Sequence, residues 1–189
     1  MKTICVFCGS SSGSNREYLV SARKLGHFFA HNKISLVYGG ASVGLMGAVA
    51  DSILAEGGRV IGVLPGFLQE KEIAHKKLSQ LIVCNSMHER KQKMFELSDG
   101  FIALPGGFGT LEEILEMLTW QQLGLHKKPI GFLNVQGFFN NLKQLFNHME
   151  NEKLLKPENK QMALFAETIP ELLDLMKKYR APATSKWIS

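Results

Sequence analysis

Long hydrophobic runs are missing from this chain of 189 residues. The best candidate, Gly44 to Ala55, is interrupted by Asp51 and falls short of the ~18 apolar residues of a membrane span. No leader is expected either, since one Lys and a few apolar residues before Gly9 are too little for a secretory signal. No membrane partner is expected, and the expected location is the cytoplasm. Cysteine is scarce, with three in all, which suits a reducing compartment. Cys5 and Cys8 do spell C-x-x-C, the spacing of redox and metal motifs. Thr3 to Cys8, however, reads as a strand, which holds the two Cα atoms roughly 10 Å apart and sends the side chains to opposite faces. A disulfide needs Cα atoms within about 7 Å, so both cysteines are expected to be small buried residues. No His/Cys/Asp cluster has ligand spacing, and neither a metal nor a cofactor is expected.

Concentrated charge is absent as well. Lys and Arg number 22 against 17 Asp and Glu, for a net charge of +5. The basic residues are scattered in pairs such as Lys76-Lys77, Lys127-Lys128 and Lys177-Lys178. Without a polybasic run or interleaved aromatics, no nucleic-acid partner is expected, and a small phosphate ligand fits better.

What is present is a regular alternation. Ile4-Cys8, Ser35-Tyr38, Arg59-Leu64, Leu81-Cys84, Phe101-Leu104 and Pro129-Leu133 are short apolar runs without polar alternation, the pattern of strands buried on both faces. Between them lie amphipathic stretches at Glu17-His31, Gly44-Glu56, Met87-Ser98, Thr110-Leu123 and Phe138-Glu150, with a last one at Glu171-Lys178. Ser14 with Glu17, and Ser86 with Glu89, have capping-box spacing. Strand-helix alternation predicts a single doubly wound parallel sheet of the α/β, Rossmann-like class. One domain is expected over residues 1–180, with a loose tail over 181–189.

In such sheets ligands bind beyond the carboxyl ends of the strands, and three exit loops are glycine-rich. They are Gly9-Ser-Ser-Ser-Gly-Ser-Asn15, Gly39-Gly-Ala-Ser-Val-Gly-Leu-Met-Gly47 and Pro105-Gly-Gly-Phe-Gly-Thr-Leu-Glu-Glu113. Neither the dinucleotide fingerprint nor the Gly-Lys-Ser/Thr of a P-loop occurs. The third loop still has the form of a phosphate site. Gly106, Gly107 and Gly109 let backbone N–H groups approach an anion, Thr110 adds a hydroxyl, and a helix start lies behind them. Glu112 and Glu113 follow in the first turn. With Leu111, Ile114, Leu115 and Leu118 as the core face, the glutamates flank it on either side, and the helical period leaves open which one faces the cleft.

A second anomaly is Arg90. Met87, Arg90, Met94 and Leu97 share one helical stripe, so a cation sits among apolar neighbours, where it is costly unless paired. Lys91 beside it reads as a solvated charge. Met117, Trp120 and Leu123 extend the apolar surface of the third-loop helix beyond one stripe, which suggests a dimer interface.

These segments resemble the LOG (LONELY GUY) family of cytokinin riboside 5′-monophosphate phosphoribohydrolases, often labelled lysine decarboxylases. Pro105 to Glu113 matches its P-G-G-x-G-T-x-x-E signature, and Met87-His-Glu-Arg-Lys91 its M-x-x-R-K motif. Tyr38 to Gly47 is similar to its second glycine-rich loop, with Ala41 where Gly is common, and Glu72-Ile-Ala-His75 to a further segment. The resemblance implies hydrolysis of N6-substituted adenosine 5′-monophosphates to free base and ribose 5-phosphate by a homodimer without a cofactor. It implies Arg90 and Glu113 as the catalytic pair. Substrate contacts become Glu72, Arg90, Lys91, Gly107, Phe108, Gly109, Thr110, Leu111, Glu112, Glu113 and Thr119, and the second loop contributes Gly39, Gly40, Gly44 and Gly47. The competing readings are a general AMP nucleosidase and a non-catalytic nucleotide-binding protein. His75 and His88 are candidate proton donors to the leaving base.

Overall fold

A computed structural model describes residues 1–69 and 74–182. In chain order the elements are β1 (Thr3–Phe7), α1 (Arg16–His31), β2 (Ser35–Tyr38), α2 (Gly44–Leu54), β3 (Val60–Pro65), α3 (Gly66–Gln69), β4 (Gln80–Cys84) and α4 (Met87–Leu97). There follow β5 (Gly100–Ala103), α5 (Phe108–Gln122), β6 (Ile130–Leu133), α6 (Asn140–Asn151), α7 (Pro157–Lys160), β7 (Ala163–Ala166) and α8 (Ile169–Lys178). The strands form one parallel sheet in the order β4-β3-β2-β1-β5-β6-β7. This is the expected doubly wound, Rossmann-like α/β sheet. The order reverses between β1 and β5, which pair from Ile4↔Gly100 to Phe7↔Ala103. Such a switch point opens a crevice at the carboxyl edge of the sheet.

Alternation along β1 divides the core. Ile4, Val6 and Cys8 pack with α1, α2 and α8, while Cys5 and Phe7 pack with Met94, Ile114 and Met117 of α4 and α5. Cys5 and Cys8 are buried, free and on opposite faces of the sheet, as strand geometry requires. Among the described residues no helix is long and apolar enough to cross a membrane.

Four expectations need correction. β4 lies at the sheet edge and is not buried on both faces; Val83 is 52% exposed. The α1 cap is Asn15, one residue beyond Ser14, and its Oδ1 accepts from the Glu17 amide at 2.9 Å. β7 was not anticipated; two of its four residues, Ala-Leu-Phe-Ala, are alanines, which carry little strand preference. Finally, the sheet-facing side of α5 is not the Leu111/Ile114/Leu115/Leu118 stripe. Its buried residues are Thr110, Glu113, Ile114, Met117 and Gln121. Met117 therefore belongs to the core, and Trp120 meets Phe95 edge-on at 5.2 Å, leaving Leu123 as the exposed member of the supposed interface. The displaced leucines Leu115 and Leu118 line an outer apolar groove of about 360 Å³. Of the expected tail, residues 183–189 lie outside the described residues.

Candidate active site

Three loops meet at the switch point. The Gly9 amide donates to the Pro105 carbonyl at 3.0 Å, tying the β1 exit to the β5 exit. The Leu45 amide, at the start of α2, donates to the Gly9 carbonyl at 3.0 Å. Between these loops and α4 lies a cleft of about 370 Å³, within the range of small-molecule sites. Arg90, Glu112, Glu113 and the Gly107-Phe108-Gly109-Thr110 segment line it.

α5 supplies the floor. Its N-cap is Gly107, which has no side chain to cap the first turn, so the leading N–H groups face the cleft without an intrahelical acceptor. The three glycines before and within this turn differ in kind. A Cβ on Gly106 would collide with Thr110 Oγ1 and sit 2.9 Å from the Gly9 nitrogen. Gly107 and Gly109 would meet nothing within 4 Å, and neither has the left-handed backbone that favours glycine. The fold gives no packing reason for glycine at these two positions, and their bare Cα atoms leave the neighbouring N–H groups open to the cleft. Phe108, between them, is 94% exposed at the mouth.

α4 supplies the cation. It is capped by Ser86, whose Oγ accepts from the Glu89 amide at 3.1 Å, while Glu89 reaches back to the Asn85 amide at 2.8 Å. The cap fixes the helix that presents Arg90 inward, only 7% exposed. Arg90 Nη2 lies 3.7 Å from Glu113 Oε1. The Arg90 Nε is buried and has no hydrogen-bond partner among the described residues. The cation in the apolar stripe is thus a buried, paired one and does not extend its head to solvent.

The rotated face of α5 also resolves the two glutamates. Glu113 is 9% exposed and turned toward Arg90. Glu112 is exposed and bridged to Lys91 at 2.5 Å. Lys91 also reaches Glu116 at 3.0 Å, so it is a shared counter-ion and not a solvated charge. Burial works against the Lys91 ammonium, but its hydrogen bonds to Glu112 and Glu116 outweigh this and hold its pKa above the usual value.

The other expected residues scatter. Leu111 packs on the core behind the cleft. Thr119 lines the outer apolar groove, with Oγ1 donating to the Leu115 carbonyl at 2.8 Å. Gly39, Gly40, Gly44 and Gly47 do not line the cleft. Gly40 and Gly44 have φ of +84° and +61°, and side chains on Gly44 and Gly47 would collide with the backbone of Ser10 and Ser42. Glu72 lies outside the described residues. His75 is buried elsewhere: its Nδ1 accepts from the Lys77 amide at 3.2 Å and its Nε2 donates to Asp51 at 2.9 Å. His88 is exposed. Neither histidine lines the cleft.

Cys8, Ser10, Met46 and Met87 line the cleft without having been singled out as ligand contacts. Cys8 and Ser10 lie at the β1 exit, which the fold class marks as ligand-facing, so their position was the available signal. Burial pushes the Cys8 thiol well above its ordinary pKa, and the negative charge of Glu113 adds to the effect, so Cys8 is not a thiolate. Among the described residues no group of three His, Cys, Asp or Glu could hold a metal ion.

Comparison with known proteins adds independent findings. A family model described as "possible lysine decarboxylase" matches residues 46–176. A probable cytokinin riboside 5′-monophosphate phosphoribohydrolase of Oryza sativa subsp. japonica is 45% identical over 188 residues, covering 96% of this chain and 84% of that one. A cytokinin riboside 5′-monophosphate phosphoribohydrolase of Arabidopsis thaliana is 42% identical, with coverages of 94% and 84%. Among solved structures, the molybdenum cofactor binding protein of Rippkaea orientalis superposes with a TM-score of 0.68 at 23% identity, covering 94% of this chain and 96% of that one. At that identity the likeness concerns the fold alone.

Proposed function

The chain belongs to the LOG family, and on that premise we propose that it hydrolyses the N-glycosidic bond of N6-substituted adenosine 5′-monophosphates. The products are the free base and ribose 5-phosphate. The observation that carries the reading is the open pair Gly107 and Gly109 at an uncapped helix end, one turn from a buried Glu113 facing Arg90.

In this reading the 5′-phosphate sits against the N–H groups and dipole at the start of α5. That remote contact holds C1′ of the ribose near Glu113 and spends binding energy on orientation. As the C1′–N bond breaks, positive charge builds on the ribose ring as in glycoside hydrolysis, and the Glu113 carboxylate stabilises it. Water adds its oxygen to C1′, and the released base gains one proton for each water consumed. Arg90 stays protonated and donates no proton; its role is to hold the anionic substrate or to orient Glu113. A protein that merely bound a nucleotide would gain nothing from a buried carboxylate beside an anion.

The working unit in this proposal is a homodimer in the cytoplasm. Leu115, Leu118 and the 81% exposed Leu154 edge an apolar groove that a second copy would cover, and three free buried cysteines suit a reducing compartment. Sedimentation at micromolar concentration should give twice the 21.1 kDa chain mass; a monomer contradicts the assembly.

The deciding assay compares kcat/KM for base release from AMP and from N6-isopentenyl-AMP. Preference for the isopentenyl nucleotide supports the proposal. Equal or better use of AMP makes the protein a general AMP nucleosidase.

A further inference from the structure

The geometry points to Gly39 as a positioning residue for Arg90: the side chain that glycine lacks is the space in which the guanidinium lies. A Cβ at residue 39 would collide with Arg90 Nη2 and stand 3.4 Å from Arg90 Cζ, with Met46 Sδ at 3.3 Å the remaining near neighbour. The backbone does not ask for glycine here, because Gly39 is not among the residues with positive φ. Among the described residues, hydrogen bonding does little to hold the guanidinium. Among those residues its Nε has no hydrogen-bond partner, and its Nη1 donates to Met87 Sδ at 3.8 Å. The seat is therefore defined by its walls, and the bare Cα of Gly39 is the wall against which Nη2 rests while it faces Glu113 at 3.7 Å. Gly39 thus reaches the chemistry through Arg90, without lining the cleft itself.

The consequence for turnover rests on the proposed function, but the seat itself does not. The tip of an arginine is flexible, so a methyl at residue 39 displaces the guanidinium rather than the backbone. The test is a double-mutant cycle of Gly39→Ala and Arg90→Ala, read by thermal midpoint, by AMP binding in calorimetry and by nucleotide hydrolysis. Gly39→Ala alone should move the midpoint by less than about 4 °C and weaken kcat/KM at least about tenfold, more in kcat than in KM if orientation of Glu113 is what suffers. With Arg90→Ala already present the space is empty, and Gly39→Ala should change AMP affinity by no more than about twofold, the scatter of independent sites.

Equal losses in both backgrounds overturn the inference, as does full activity of Gly39→Ala. Should Gly39→Ala fail to fold, the double variant must fold; if it too fails, the glycine serves the backbone and the inference is wrong. If the unaltered protein hydrolyses no nucleotide, the functional proposal fails instead, and the midpoint cycle still decides the seat.

Discussion

The two central glycine-rich loops look alike as strings of letters and differ in what fills the space each glycine leaves. In the 39–47 loop the protein fills it. Arg90 lies against Gly39, the backbone of Ser10 against Gly44, and the Ser42 carbonyl against Gly47. In the 105–110 loop, Gly106 is filled in the same way by Thr110 and Gly9, but Gly107 and Gly109 face open space. Glycine that the fold consumes is a packing device, and glycine that the fold leaves vacant is room for something else. Counting glycines does not separate the two cases; asking what a Cβ would strike does.

The largest expected effect lies beside the vacant loop. Glu113→Gln should lower kcat about a hundredfold to a thousandfold, the range for removing one preorganised electrostatic group, and should also cost stability, because it leaves the buried Arg90 without its carboxylate. Glu112→Gln should keep activity within a few-fold, because Glu112 is exposed and serves Lys91. Steady-state rates of the two variants decide it; equal losses would erase the distinction that burial draws between them.

Alanine substitutions test the comparison itself. Gly47→Ala should destabilise by about 1–3 kcal/mol, the cost of overpacking a closed site, measurable by urea unfolding. Gly107→Ala should leave the unfolding curve unchanged and weaken nucleotide binding, because its methyl enters only the cleft. The comparison breaks if Gly107→Ala unfolds the protein or Gly47→Ala does not weaken it.

The smallest effect serves as a control outside both loops. His126 is buried among Phe95 and Phe101, with Nε2 donating to the Met117 carbonyl. Desolvation lowers its pKa below the ordinary value of 6.5, and the neighbouring Lys128 charge adds to this. The unfolded chain therefore binds the proton more readily. Stability from this group is complete above about pH 6.5 and is lost as the pH falls toward the folded-state pKa. Unfolding free energies at pH 7.5 and 5.5 should fall more steeply for the native chain than for His126→Gln, and identical slopes would contradict the assignment.

Much of the fold was legible because strands buried on both faces are written as uninterrupted apolar runs, and β1, β2, β3, β5 and β6 are of that kind. β7 was not, since two alanines in four residues make a weak strand signal. The site was legible where burial conflicts with residue type: Arg90 stands out because an apolar stripe does not tolerate a charge. Glu113 was not separable from Glu112 by periodicity, and the structure shows why. The sheet-facing stripe of α5 contains the polar Thr110, Glu113 and Gln121; Glu113 faces Arg90, and Gln121 Nε2 donates to the Lys128 carbonyl at 2.8 Å. A search for the most apolar stripe therefore selects the outer leucines, about one residue out of phase, and misses the face on which Glu113 lies. Cys8 and Ser10 were legible only as members of the β1 exit; that this exit faces the cleft follows from the switch point between β1 and β5, which the strand order fixes.

The claim on which the account rests is that the vacant 105–110 loop holds a 5′-phosphate. Steady-state hydrolysis of AMP against adenosine, and of the N6-isopentenyl pair, under identical conditions tests it most directly. A hydrogen bond to a charged group contributes roughly 1.5–3 kcal/mol, so losing two costs the nucleoside about a hundredfold or more in affinity, with a further loss in kcat as C1′ is no longer held against Glu113. The account predicts a nucleotide preference of at least about a hundredfold in kcat/KM; nucleosides hydrolysed within about tenfold of their nucleotides would contradict it and reduce the loop to a turn.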